Sequence, residues 1–332
     1  MKKARIGKRT LLNALALFFL LVLLFSAGML LINLWESGQN KFDDKGQGSL
    51  ESSIEYDGKK YVLKDGMETF LFIGRDKFEE SVNNSSYNND QQADFLMLLV
   101  IDNKSSSYVA VQINRDTMTD VNVLGVAGEK IDTVKQQIAL SHTYGNGREV
   151  SCRNTSDAVS ALFENVRIDH YVSLTMDAVS IVNDSVGGVE VTVLDDFSGI
   201  DDTLIKDTKV TLKGDQALTY VRSRYGMDDS TNQNRMIRQR QYLNSLYNEF
   251  AKCAKDDDGF IVDLSLKLAD HIISDCSANK LQKLFQKISE YELSDIVTIE
   301  GKASKGTKYM EFYPDEDKLK KLIVETFYTP KK

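Results

Sequence analysis

The chain has 332 residues, 42% hydrophobic and 27% charged, a globular balance that excludes a disordered or fibrous polymer and leaves room for one large domain or two ordinary ones. The net charge is −8, and the first 35 residues carry five positive charges with no acid, so everything after them is more acidic still. Such a surface is a poor partner for nucleic acid, whose binding rests on neutralising phosphates.

Taken in chain order, residues 1–10 read as a cytoplasmic tail and Leu11 to Leu34 as a membrane-spanning helix. That stretch holds 24 residues without a charge, enough at about 1.5 Å per residue to span a hydrocarbon core of roughly 30 Å. A cleavable signal sequence, with Ser26-Ala27-Gly28 as its cleavage site, is the alternative. Its apolar region usually runs only about 7–15 residues. Lys2, Lys3, Arg5, Lys8 and Arg9 before the helix, against Glu36, Asp43 and Asp44 after it, predict a single-pass protein with the N-terminus inside and the rest outside the cell membrane. Residues 35–53 are polar and read as a linker to a folded domain over 54–330.

In that domain Asp57-Gly58 predicts a hairpin turn inside Ile54 to Leu63. Thr69 to Ile73 and Phe95 to Ile101 are continuous apolar runs, expected as central strands covered on both faces, and Tyr108 to Ile113 as a third. Glu79 to Gln92 reads as a loop. Helices are expected over Ile131 to Thr143, Asn154 to Asn165 (capped by Asn154 or Thr155), Asp215 to Val221, Asn234 to Ala254, Lys280 to Tyr291 and Asp315 to Phe327. Further strands are expected at Val189 to Val193, Lys209 to Leu212 and Ser294 to Glu300. Strands and helices interleave without a break, so the fold class is α/β: a single domain with a mixed central β-sheet flanked by helices. Cys152, Cys253 and Cys276 lie far apart without metal-ligand spacing. The choice between a disulfide, in any of three pairings, and free buried thiols stays open.

The chemistry gathers at strand ends. One strand ends in Gly74-Arg75-Asp76, another begins after Ala93-Asp94, and a third ends in Asn114-Arg115-Asp116. If the second strand runs antiparallel to the first, Asp76 and Asp94 meet at one edge, and two carboxylates with few other oxygens suit Mg²⁺. Downstream, Arg222 and Arg224 follow a predicted helix, and Arg235, Arg238 and Gln239 share one face of the next. A solvated basic face is the plain alternative. The preference for Arg over Lys favours a site for phosphate oxygens, which the guanidinium fork grips in pairs.

In this order the motifs resemble the LytR-CpsA-Psr family of cell-wall glycopolymer ligases. LFIGRD (Leu71–Asp76), ADFLML (Ala93–Leu98), INRDT (Ile113–Thr117), QIALSHTYGNG (Gln137–Gly147), GDQALTYVRSR (Gly214–Arg224) and NRMIRQRQ (Asn234–Gln241) look like its elements. Asn114 stands where the family usually has Pro. The resemblance implies an αβα domain that transfers a glycopolymer, with one phosphate, from a polyprenyl-pyrophosphate carrier to a peptidoglycan hydroxyl. It implies Mg²⁺ on Asp76 and Asp94. Arg115, Arg222, Arg224 and Arg235 would be catalytic, and these four with Arg238 and Gln239 would hold the pyrophosphate. Phe78 stands where an Arg is frequent, and Gln137 and Ala139 where Lys or Asn is frequent, so Arg75 or Lys77 are candidates to supply the missing grip. Asp116 is expected to position the loop rather than to react.

Two other readings use the same residues: a hydrolase of the lipid pyrophosphate, and a non-catalytic lipid-binding regulator of the kind labelled transcription attenuators. Asp228 and Asp229 read as a turn, with a general base as the alternative. His142 is expected to be a packing or hydrogen-bonding residue, and neither it nor His170 is expected to be catalytic. The apolar positions from Val172 to Val186 are expected as ordinary core, with a prenyl tunnel as the alternative.

Overall fold

A computed structural model describes residues 53–75, 91–224, 232–257, 260–277, 280, 283–284, 287, 290–307 and 309–331. The stretch from Leu11 to Leu34, Asp76, Lys77, Phe78, Asp228 and Asp229 lie outside them, as does most of the expected helix from Lys280 to Tyr291. Among the described residues no helix is long and apolar enough to cross a membrane.

The sequence suggested one domain, but the chain divides into two compact units. Described residues of 40–175, 273–276 and 291–332 form the first, and those of 176–272 and 277–290 the second. The sequence carries no signal of this because the chain passes from one unit to the other directly out of strands, with no linker.

The first unit opens with strands β1 (Ser53–Tyr56) and β2 (Lys59–Leu63). Asp57 and Gly58 between them have φ of 51° and 68°, the left-handed pair that a two-residue hairpin turn requires. Its centre is a six-stranded mixed sheet made from β3 (Met67–Arg75), β4 (Ala93–Asp102), β5 (Ser107–Ile113), β8 (His170–Thr175), β11 (Ile272–Ser274) and β12 (Glu292–Thr298). The order is β11-β8-β3-β4-β5-β12. β4 is antiparallel to both β3 and β5, while β8 joins β3 and β12 joins β5 in parallel. The apolar runs are buried on both faces, as their lack of alternation predicts: Phe70, Leu71, Phe72 and Ile73 are all inaccessible. Helix α1 (Glu149–Leu162) contributes Cys152, Val159 and Leu162 to the core with Leu71, Ile73, Leu96 and Leu98 of the sheet. Helix α6 (Glu316–Phe327), capped by Asp315 accepting from the Lys318 N–H, adds Ile323, Val324 and Phe327.

Two helix expectations need correction here. Residues 131–137 belong to strand β7 (Lys130–Gln137), paired antiparallel with β6 (Met118–Leu124), and only Ile138–Thr143 coils, as a 3-10 helix. Most of β7 is exposed, so its apolar spacing buried nothing, and ladder pairing decided the outcome. Helix α1 begins five residues before Asn154, which is buried and donates to the Asn122 and Ser141 carbonyls. The polar residues that looked like caps tie the helix to its neighbours instead.

The second unit holds helix α2 (Asp177–Ser185), the antiparallel pair β9 (Val189–Thr192) and β10 (Lys209–Leu212), and helices α3 (Asp215–Arg222), α4 (Asn232–Asp256) and α5 (Phe260–Leu268). Its interior includes Val182, Val189, Val191, Phe197, Tyr220, Leu246 and Phe250. The apolar positions after Val172 therefore split: Val172 and Leu174 are buried on β8, and Ala178, Val182 and Val186 are buried in this unit.

Candidate active site

β3 and β4 run antiparallel, and their ladder ends with Arg75 opposite Ala93, the chain neighbours of Asp76 and Asp94. Gly74 permits this approach, because a Cβ there would lie 2.8 Å from that of Phe95. The register thus has the antiparallel sense on which the pairing of Asp76 with Asp94 depends.

Arg115 lies just past β5, in a turn pinned from every side. The Thr117 N–H and hydroxyl both donate to the Asn114 carbonyl, at 3.0 and 2.6 Å. The Asp116 N–H donates to Asn114 Oδ1 at 3.0 Å. The Arg115 carbonyl accepts from the Ala139 N–H, and the Thr117 carbonyl from the Ile138 N–H. Asn114 thus closes an Asx turn with its own side chain, which gives it a turn-setting role where the resembled family has Pro.

The Arg115 guanidinium donates to Asp94 Oδ1 and Gln92 Oε1, and its Nε lies 3.6 Å from Asp116 Oδ1. Its side chain is 13% exposed and that of Asp94 11%. Asp116 is buried and accepts from Gln137 Nε2 at 3.1 Å, while the same amide nitrogen donates to the Met310 carbonyl. Asp116 therefore braces the loop. Gln137 supplies the bracing donor at one of the positions where the motif departs from its usual form, and at the other, Ala139, only the backbone engages Arg115.

Arg75 has no exposed surface. It donates to Gln91 Oε1 at 2.8 Å and to the Gly147 carbonyl at 2.5 Å. Burial lowers its pKa to about 10, which leaves it cationic at neutral pH. It has no surface to offer a ligand, which corrects the expectation that it supplies the missing grip. Beside it His142 is fully buried, with Nδ1 donating to the Gln91 carbonyl at 2.9 Å and Nε2 accepting from the Cys152 thiol at 3.8 Å. Burial first, and then the Arg75 charge, hold His142 near a pKa of about 3, while burial raises Cys152 to about 12. His142 is a neutral hydrogen-bonding residue of the interior, as expected. All three cysteines are free thiols.

In the second unit α3 ends at Arg222, which is exposed, and Ser223 leaves the helix in extended geometry (φ −56°, ψ 137°) ahead of the buried Arg224. On α4, Arg235, Arg238 and Gln239 are all buried, so this is not a solvated basic face. Arg238 differs from the part its sequence position suggested. Its Nη1 pairs with Asp195, Nε donates to the Tyr220 carbonyl at 2.8 Å, and Nη2 donates to the Ser223 carbonyl. Its guanidinium also sits 5.4 Å over the Phe197 ring, which stacks on Tyr220. Gln239 donates to the Val221 carbonyl at 3.2 Å. Arg238 and Gln239 thus satisfy carbonyls at the C-terminal end of α3, those of Tyr220 and Val221 just before Arg222 and that of Ser223 between Arg222 and Arg224. Arg238 is a buried clamp with only 1% of its surface exposed, and this corrects its reading as a pyrophosphate ligand.

Gln91, Gln92 and Asp195 went unread in the sequence. The first two sat in an expected loop, and they do precede β4 without belonging to it. Asp195 lies 43 residues from Arg238, with no local signal to join them.

A profile described as the LytR_cpsA_psr family matches residues 32–326. The chain belongs to that family. It is 27% identical over 213 residues to the cell wall biosynthesis protein LcpA of Corynebacterium glutamicum, covering 56% of this chain and 40% of that one. It is 28% identical over 222 residues to the polyisoprenyl-teichoic acid–peptidoglycan teichoic acid transferase TagU of Bacillus anthracis, covering 67% of this chain and 65% of that one. The aligned part is thus under two thirds of either relative. The fold matches that of B. subtilis TagT with a TM-score of 0.56 at 18% identity, covering 86% of this chain and 98% of that one.

Proposed function

We propose that this protein is a transferase that moves a glycopolymer from a polyprenyl-pyrophosphate carrier to peptidoglycan, held at the outer face of the cell membrane by the apolar segment Leu11 to Leu34. The observation that carries the reading is the meeting of Arg115 and Asp94 at the end of the central sheet, on a turn fixed by backbone hydrogen bonds. A guanidinium so held is oriented before charge develops on phosphate oxygens.

The acceptor hydroxyl attacks the phosphorus that carries the glycan. A new oxygen–phosphorus bond forms, the bond from that phosphorus to the bridging oxygen breaks, and polyprenyl phosphate leaves as the hydroxyl proton is lost. Arg115 is our candidate for the oxygens of the donor, and Arg222, Arg224, Arg235 and Gln239 are the candidates that the second unit contributes. Arg238 acts as a positioning residue by holding the end of α3. Asp94, which also pairs with Arg115, and Asp76, outside the described residues, would hold Mg²⁺ through hard carboxylate oxygens, and the ion would supply further charge neutralisation.

The test is to incubate the full chain with a labelled polyprenyl-pyrophosphate glycan, Mg²⁺ and peptidoglycan. Label covalently attached to peptidoglycan, and lost with Arg115→Ala or Arg222→Ala, is the expected result. Label released as free glycan phosphate would make the protein a hydrolase. Binding without either product would make it a lipid-binding regulator.

A further inference from the structure

β8 and β11 are the strands by which the chain leaves the first unit and returns to it. At their edge stand His170, Asp275 and Cys276, whose nitrogen, oxygen and sulfur donors all lie within 4.8 Å of one another. We propose that these three residues form a zinc site, one that the family's transferase chemistry does not call for.

The three donors stand near enough for one ion to draw them together, although His170 and Cys276 face different oxygens of Asp275. Zinc bonds of about 2.0–2.3 Å to N, O and S place neighbouring donors about 3.3–3.6 Å apart. His170 Nδ1 lies 3.6 Å from Asp275 Oδ2, and Cys276 Sγ lies 3.6 Å from Asp275 Oδ1. The first separation is too long for a hydrogen bond. His170 Nδ1 is buried from solvent and has no hydrogen-bond partner among the described residues. A buried ring nitrogen facing a carboxylate beyond hydrogen-bond reach has an explanation if an ion completes the contact.

The surroundings hold the donors in place. The Tyr171 N–H donates to Asp275 Oδ1 at 3.0 Å, which fixes the carboxylate. The Ser274 hydroxyl donates to the Tyr171 carbonyl at 2.7 Å and accepts from the Cys276 N–H at 3.0 Å, locking the turn that carries both ligands. The His170 ring packs on Phe70 at 5.0 Å between centroids. Cys276 is buried, while the side chains of His170 and Asp275 are 24% and 35% exposed, so the cluster sits between the interior and the surface. A thiolate, an imidazole and a carboxylate select zinc over magnesium by their softness. The ion would fasten the departing strand to the returning one across a loop of about a hundred residues, where a cross-link constrains most.

The experiment strips the full chain with chelator under reducing conditions, then titrates Co²⁺ against it in excess Mg²⁺, which occupies all-oxygen sites. One equivalent should bind with a thiolate-to-cobalt charge-transfer band, and zinc should bleach the band. Cys276→Ser should abolish it and His170→Gln should weaken binding by more than about 100-fold, whereas Cys253→Ser should change nothing. Asp275→Asn still accepts from Tyr171 and should fold normally by circular dichroism, with affinity down by at least about tenfold. A band that is absent in the wild type, or survives Cys276→Ser, overturns the site, as does wild-type affinity in Asp275→Asn. None of these readouts depends on transferase activity.

Discussion

Strands β3 and β5 each hand over to an arginine and then an aspartate, yet Arg75 and Arg115 meet opposite fates. Arg75 is fully buried on neutral acceptors, Gln91 Oε1 and the Gly147 carbonyl. Arg115 sits at the rim on a carboxylate, Asp94, and on Gln92. The residues entering β4 divide between them with a two-residue period: Gln91 serves the first, and Gln92 and Asp94 serve the second. The same dipeptide is thus made structural or accessible by which side of one neighbouring strand it meets.

The largest effect that would sharpen this contrast is on catalysis. Arg115→Ala should lower the transfer rate by about 10²–10³-fold, the usual loss for one preorganised donor to developing charge, while the melting temperature moves little. Arg115→Lys should recover only part, since the ammonium lacks the paired donors of the fork. A variant that loses stability as severely as activity would break the comparison, because Arg115 would then be as structural as Arg75.

Arg75→Met should do the reverse. It removes two charge-assisted hydrogen bonds in the interior, each of roughly 1.5 kcal/mol or more, so chemical denaturation should show a loss of about 3 kcal/mol. Any protein that still folds should retain its transfer rate. A large rate loss in well-folded Arg75→Met would show that the buried arginine reaches the chemistry after all.

Much of the contrast was legible in the sequence, and what was not has a physical reason. The apolar runs at Phe70–Ile73 and Phe95–Ile101 lie in strands because an unbroken run has to be covered on both faces. Arg115 and Asp94 were each legible as site candidates because both flank such runs, but their contact with each other was not, since the sequence paired Asp94 with Asp76. The burial of Arg75 could not be read, since it depends on Gly147 across 72 residues. Nor could the clamp of Arg238 on Asp195, since helical spacing shows which residues share a face but not what that face meets. The β6–β7 hairpin was misread because an exposed ladder leaves little apolar pattern behind.

The acid limb of stability tests the buried side further. His142 falls from an ordinary 6.5 to about 3 on folding. The unfolded chain therefore takes up a proton that the folded chain refuses, and this contribution is fully present above pH 6.5 and is lost as pH falls toward 3. Between pH 7 and pH 5 it amounts to about 2 kcal/mol of stability. Denaturation at both values should show that loss in the wild type, with a flatter dependence in His142→Gln. The arginine charge helps hold His142 neutral, so Arg75→Met should flatten the dependence as well. An unchanged slope in both variants would place the acid sensitivity elsewhere.

The smallest effect concerns how the accessible arginine is held. Asn114 fixes the turn with one side-chain bond to the Asp116 N–H. Asn114→Ala removes that bond and should cost about 1 kcal/mol. The turn keeps its backbone and threonine bonds, including that from the Phe312 N–H to the Asp116 carbonyl, so the structure should survive while the guanidinium samples a wider range. Positioning losses act on rate more than on affinity. The expected signature is a fall in kcat of several-fold with KM for the lipid donor nearly unchanged, and Asn114→Asp, which keeps the accepting oxygen, should restore most of it. An unchanged kcat in Asn114→Ala would mean that the Asx turn is not what aims Arg115 and that the backbone bonds from Ile138 and Ala139 suffice, and equal falls in Asn114→Ala and Asn114→Asp would mean that the accepting oxygen is not what matters at this position.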